Sequence, residues 1–166
     1  MIRVTPPTTL NWEGNLFKCV LGRNGVTSDK WEGDGFTPAG TYALRKVLYR
    51  RDRVAGFQTT LPTHTITKSD AWCDDPEHEF YNMPVQLPIE ASHEKLWRND
   101  PCYDIVVVLG HNDAPVVPYR GSAIFMHVAT ADHSPTEGCV ALDMQTLVTV
   151  LAGCDPNENI HIQLTT

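Results

Sequence analysis

Long apolar runs are missing from this sequence: the longest, such as Ile105 to Leu109, fall far short of the roughly 20 residues that a membrane-crossing helix takes. No membrane span is expected. Cations are scarce, with 13 Lys and Arg against 20 Asp and Glu and a formal charge of −7, so a polyanion held by phosphate neutralisation is excluded as partner and nucleic acid with it. The opening Met1-Ile2-Arg3-Val4-Thr5-Pro6-Pro7 has no apolar stretch and no small-residue cleavage site, so no secretory signal is visible in it. Cys19, Cys73, Cys102, Cys139 and Cys154 contain no CxxC pair, which speaks against a zinc ribbon and against a dense disulfide scaffold. An odd count leaves at least one thiol free.

What remains is a composition fit for a packed core, 42% hydrophobic and 20% charged over 166 residues, a length that suits one domain spanning 1–166. Leu16 to Leu21 reads as a strand, followed by the turn-rich Gly22-Arg23-Asn24-Gly25. A loop rich in glycine from Glu32 to Gly40 then leads into strand character at Thr41 to Leu44. Residues 56–90, with Pro62, Pro76, Pro84 and Pro88 and little periodicity, predict a long irregular insertion, in which Trp72, Tyr81 and Asn82 are candidates for a lid. Ser92 is placed to cap a short helix through Glu94 to Arg98, and Tyr103 to Leu109 predicts a central strand covered on both faces. Ala123 to Val128 predicts a further buried strand, Asp143 to Leu151 an amphipathic helix stopped by Gly153, and Ile160 to Leu164 a last half-exposed strand. The expected fold is mainly β, of sandwich type, with one or two short helices.

Chemistry concentrates between Ser122 and Asp143. A thiol attacks as thiolate, so a nucleophilic cysteine needs a base or positive neighbour and backbone N–H groups for the developing oxyanion. Gly138-Cys139 sits in a turn that a small residue permits, and His127 ends a strand from which the chain returns to it. The same pattern also fits a small buried thiol and a satisfied histidine, and pattern alone leaves both readings open. His133, in the loop between, is a second candidate base. Asp74, Asp75, Glu77 and His78 match no metal-ligand spacing and read as a solvated acidic loop, so no metal is expected.

Two motifs raise the first reading. The segment resembles the signature of the YkuD-type L,D-transpeptidases, in which a strand-borne His precedes Ser/Thr-His-Gly-Cys, here His127 and Thr136-Glu137-Gly138-Cys139. Upstream, Thr37-Pro38-Ala39-Gly40 resembles the family's Thr-Pro-x-Gly turn, and the similarity runs roughly from Val20 to Asp143. The resemblance implies a transpeptidase of peptidoglycan stem peptides with Cys139 as nucleophile, His127 as general base and the backbone carbonyl of Val128 orienting it. It implies no cofactor. Thr136 and Gly138 belong to the implied oxyanion turn, whereas Arg120, His111, Asn112 and Tyr81 are candidates for gripping substrate carboxylates around the same mouth. The chain departs from the family pattern at Glu137, where a second His is usual, at Ala141, where Arg is frequent, and in its His-to-Cys interval of 12. Glu137 reads either as a solvated carboxylate or as a contact for an acceptor amine. Stem-peptide trimming and stem-peptide binding without catalysis are the alternatives to cross-linking. A monomer is expected, in the periplasm or cell wall where the implied substrate lies.

Overall fold

The computed structural model describes residues 1–164, and strands dominate it. In chain order they are β1 (Ile2–Thr5), β2 (Thr9–Trp12), β3 (Asn15–Val20), β4 (Val26–Thr27), β5 (Thr37–Pro38), β6 (Gly40–Tyr49) and β7 (Thr63–Thr65). There follow β8 (Asp70–Cys73), β9 (Pro84–Gln86), β10 (His93–Lys95), β11 (Ile105–Leu109), β12 (Phe125–Val128), β13 (Val140–Leu142) and β14 (Asn159–Ile162). One helix, α1 (Met144–Gly153), and a 3-10 turn at Pro101–Tyr103 complete the elements among the described residues.

Eight of the strands pair in a closed circuit, β1-β2-β3-β13-β12-β11-β6-β14 and back to β1. Closure leaves these ladders no open edge. The long β6 makes it possible: its first half runs antiparallel to β14 and its second half antiparallel to β11, with a register shift between Val108 and Leu109. One face of each strand feeds a single core, in which Ile2, Leu10, Val107, Met126, Leu142 and Ile160 are buried. Helix α1 adds Leu147, Val150 and Leu151 to it, each fully buried and each worth about 1.5–3 kcal/mol as buried apolar surface.

The opposite face of β11 and β12 is covered as well. A three-stranded side sheet, β10-β8-β9, sets Trp72 edge-on against Phe125 at 5.1 Å, and Leu96, Tyr103, Val106 and Val108 fill the layer between. This explains why β11 is apolar at every position: Ile105, Val107 and Leu109 face the closed core and Val106 and Val108 the side sheet.

The mainly β expectation holds, and the strands at Leu16 to Leu21, Tyr103 to Leu109 and Ala123 to Val128 and the helix near 143–151 all form with shifted ends. Four local expectations do not hold. The helix Glu94 to Arg98 is absent, because His93–Lys95 pairs with β8 as a strand. Residues 56–90 are not irregular throughout but supply β7, β8 and β9. Trp72, Tyr81 and Asn82 are no lid: all three are buried, the Trp72 indole donates to Asn82 Oδ1 at 3.0 Å, and Asn82 Nδ2 holds the carbonyls of His111 and Asn112. The last strand ends at Ile162, leaving Leu164 exposed.

Candidate active site

Strands β12 and β13 are neighbours and parallel, so the chain leaves the end of β12 and must return to the start of β13. His127 lies opposite Ala141 in this register, which sets Cys139, just before β13, level with Phe125. Residues of like parity share a face, so Phe125, His127 and Cys139 all point away from the closed core. The returning loop is pinned near its end: Thr136 N–H donates to Leu21 O at 3.0 Å and Arg23 N–H to Thr136 O at 2.9 Å. Gly138 takes φ +143° and approaches Phe36 so closely that a Cβ would lie 2.8 Å from its carbonyl oxygen, which explains why a residue without Cβ stands there.

His127 is 8% exposed and its Nδ1 lies 2.8 Å from Val128 O. A carbonyl only accepts, so Nδ1 carries the proton and the neutral ring keeps the lone pair on Nε2. The Tyr103 ring packs edge-on against the imidazole at 5.3 Å, fixing its plane from the other side. Burial lowers the His127 pKa below its ordinary 6.5, opposed by the Val128 hydrogen bond.

Cys139 is buried, and burial, with the charge of Glu94 adding to it, pushes its thiol up to about 12. The Sγ donates to Ala123 O at 3.3 Å and accepts from Phe125 N–H at 3.4 Å. Ala123 has φ +52°, a left-handed conformation that turns its carbonyl toward the sulfur. The sequence predicts a thiol made acidic by its neighbours. In the structure the resting pair is instead a neutral thiol and a neutral imidazole.

Both groups open on one cavity of about 410 Å³, which Thr136, Glu137 and Gly138 also line. Thr136 Oγ1 donates to Cys139 O at 2.7 Å and accepts from Gly138 N–H at 3.1 Å, so this hydroxyl holds the turn and occupies the Gly138 donor that the sequence reading assigns to an oxyanion. Glu137, at the edge of this cavity, pairs with Arg23, both side chains being exposed.

The structure does not bring the remaining candidates to this cavity. Arg120 pairs with Asp29 at 3.0 Å, stacks over Trp31, and lines a separate cavity of about 260 Å³ with His111 and Asn112. His111 Nε2 lies 2.9 Å from Arg120 O, and Asn112 ties Val117 and Gly121 together. Tyr81 is buried, donating to Glu32 and accepting from Gly121 N–H at 3.1 Å. His133 pairs with Asp143 at 3.0 Å on the surface.

Several wall residues escape the sequence argument. Lys30, 7% exposed, pairs with Asp34 and donates to Trp31 O at 2.7 Å. Glu32, Asp74, Glu94 and Tyr103 stand around the cavity, and the Tyr103 hydroxyl donates to Glu94. The spacing of Lys30 and Asp34 and the Asp100-Pro101 cap before Tyr103 were readable signals, since Asp100 accepts from Cys102 N–H at the start of the turn. Glu94 left none, because its place depends on the strand pairing of β10.

Among the described residues no helix is long and apolar enough to cross a membrane. The family model of the L,D-transpeptidase catalytic domain, YkuD, matches residues 5–162. Comparison with curated proteins and with solved structures finds no match.

Proposed function

The chain belongs to the YkuD family of L,D-transpeptidase catalytic domains, and from that membership we propose that it is a cysteine-dependent acyltransferase that cross-links peptidoglycan stem peptides outside the cytoplasmic membrane. The observation that carries this reading is the common opening of Cys139 Sγ and the His127 ring on one cavity, with Val128 O leaving the imidazole lone pair on Nε2.

The steps follow from the two neutral groups. His127 Nε2 takes the thiol proton as Cys139 Sγ attacks the carbonyl on the L-centre of diaminopimelate, and the electron pair of the carbonyl moves onto its oxygen. When that pair returns, the C–N bond to the terminal D-Ala breaks and the leaving nitrogen takes the proton from His127. A thioester at Cys139 remains. The side-chain amine of a second stem attacks it, giving its proton to His127, which returns it to the departing thiolate. Because burial lowers the His127 pKa, the ring stands ready as base at neutral pH. The buried thiol ionises only as a substrate carbonyl arrives to receive its charge.

Intact-protein mass spectrometry with a carbapenem, a thiol acylator for this family, tests the nucleophile, with muropeptides as the parallel substrate. Cys139→Ala is expected to fold, to take no adduct and to leave muropeptides unchanged. Cys102→Ala is the matched control, because Cys102 lines the same cavity. An adduct that persists in Cys139→Ala and vanishes in Cys102→Ala overturns the assignment. In the native protein, muropeptide dimers report transfer, shortened monomers report hydrolysis, and unchanged material reports binding alone.

A further inference from the structure

Four carboxyl groups line the Cys139 cavity; Glu137 pairs with Arg23, whereas Glu32 from the loop before β5, Asp74 just after β8 and Glu94 from β10 are not ion-paired among the described residues. Such a grouping is costly unless something opposes it, because like charges at close range repel strongly where water is thin. Glu32 is partly relieved by the hydroxyls of Tyr81 and Ser122. Asp74 is not: its Oδ1 is buried and meets no hydrogen-bond donor. Glu94 receives the Tyr103 hydroxyl on Oε1, and Arg98, on the same wall, is committed to Asp100 at 2.7 Å. Lys30 is turned to Asp34. The resident cations are thus spent elsewhere, while a nine-tenths-buried imidazole and the thiol open on the same space.

We propose that Glu94, with Asp74 beside it, is the specificity-determining acid of this cavity, the counter-charge for an ammonium group carried by the peptide that acylates Cys139. The proposal rests on the reading of the site given above and names what that site selects. Glu94 is the member nearest in effect to the chemistry, since its charge acts on Cys139 and its hydroxyl partner Tyr103 packs on His127. Burial, with Asp74 and Glu32 adding to it, raises its own pKa, so an ammonium beside it favours the ionised form. An ammonium seated on it withdraws the negative field that opposes thiolate formation. Correct substrate therefore both binds and eases the first step, and a peptide lacking the cation does neither. Asp74 supplies the second acceptor that a three-donor ammonium needs.

Calorimetric titration of folded Cys139→Ala protein, which binds without turnover, measures this directly. The probes are a synthetic stem tetrapeptide ending in diaminopimelate and D-Ala, and the same peptide with its side-chain amine acetylated. The free amine is expected to bind at least roughly 10-fold more tightly, as loss of one partner from a buried charge pair implies. In Cys139→Ala with Glu94→Gln the two peptides are expected to bind within about 3-fold of each other. Cys139 alkylation in otherwise native protein gives the second readout: the free-amine peptide short of its D-Ala residue should speed it and the acetylated one should not. Equal binding of both peptides to the Glu94 protein overturns the proposal while leaving the transpeptidase reading intact. Absence of binding by either peptide, with no acylation of native protein, overturns the reading of the site itself. Should Glu94→Gln fail to fold, the amine comparison on the Glu94 protein decides alone.

Discussion

The two faces of the β11-β12-β13 sheet are made by the same few residues in alternation, yet they differ in kind. Inward stand Val107, Met126, Val128, Val140 and Leu142, all apolar and all buried. Outward, one residue along each strand, stand Phe125, His127 and Ala141, with Cys139 just before β13. The inner face gains from packing density alone, so its members can be exchanged only for others of like volume. The outer face holds His127 by one hydrogen bond and the Cys139 thiol by two long ones to sulfur, both side chains opening on a cavity, an arrangement that contributes little to stability. The rigidity that fixes His127 and Cys139 relative to each other is thus supplied by residues on the reverse of their own strands.

Substitution on the two faces should separate chemistry from stability. After loss of Cys139 itself, the largest effect on chemistry is expected from His127→Ala, which should lower acylation of Cys139 by about 10² to 10⁴, the usual worth of a positioned base. A stopped-flow acylation assay checks it, and retention of the full rate would remove His127 from the mechanism. On the inner face, Met126→Ala should cost about 2–5 kcal/mol in a urea denaturation curve, since Met126 is fully buried in the closed core. Acylation by the fraction still folded should be unchanged in that variant. A pH series sharpens the contrast further. With the thiol pushed up to about 12, alkylation by a small neutral reagent should climb by about tenfold per pH unit through the neutral range. A plateau below pH 8 would instead indicate a preformed thiolate. The smallest change is expected from His133→Ala, within about 0.5 kcal/mol in stability, because its partner Asp143 is exposed. Its acylation rate should equal that of the unaltered protein.

Much of this was legible where the physics is local. The run Ile105–Leu109 announces a strand buried on both faces, and the spacing of Met144, Leu147, Val148 and Leu151 announces α1. The family motif points to His127 and Cys139 because both lie within one short stretch whose turn needs a glycine. Legibility fails where a partner lies far away in sequence. The strand His93–Lys95 exists only because β8 pairs with it, so the local helical signal after Ser92 misleads and Glu94 is missed with it. Arg120 illustrates the converse. Its chemistry suits a substrate carboxylate, but Asp29 and the Trp31 ring already hold it. Position relative to a motif does not say which neighbours a side chain has found.

Parallel pairing of β12 and β13 has a consequence for how such a site tolerates change. The separation of His127 and Cys139 is set by the ladder on one side and by the pinning of Thr136 to Leu21 and Arg23 on the other. The exposed residues between them, around Asp132, only span the gap and carry none of the alignment. The interval of 12 between His127 and Cys139 is therefore slack rather than a ruler. Lengthening it adds mainly closure entropy, about 0.6 kcal/mol for each doubling of the loop. Spacing in the chain is free to drift while spacing in the site stays fixed.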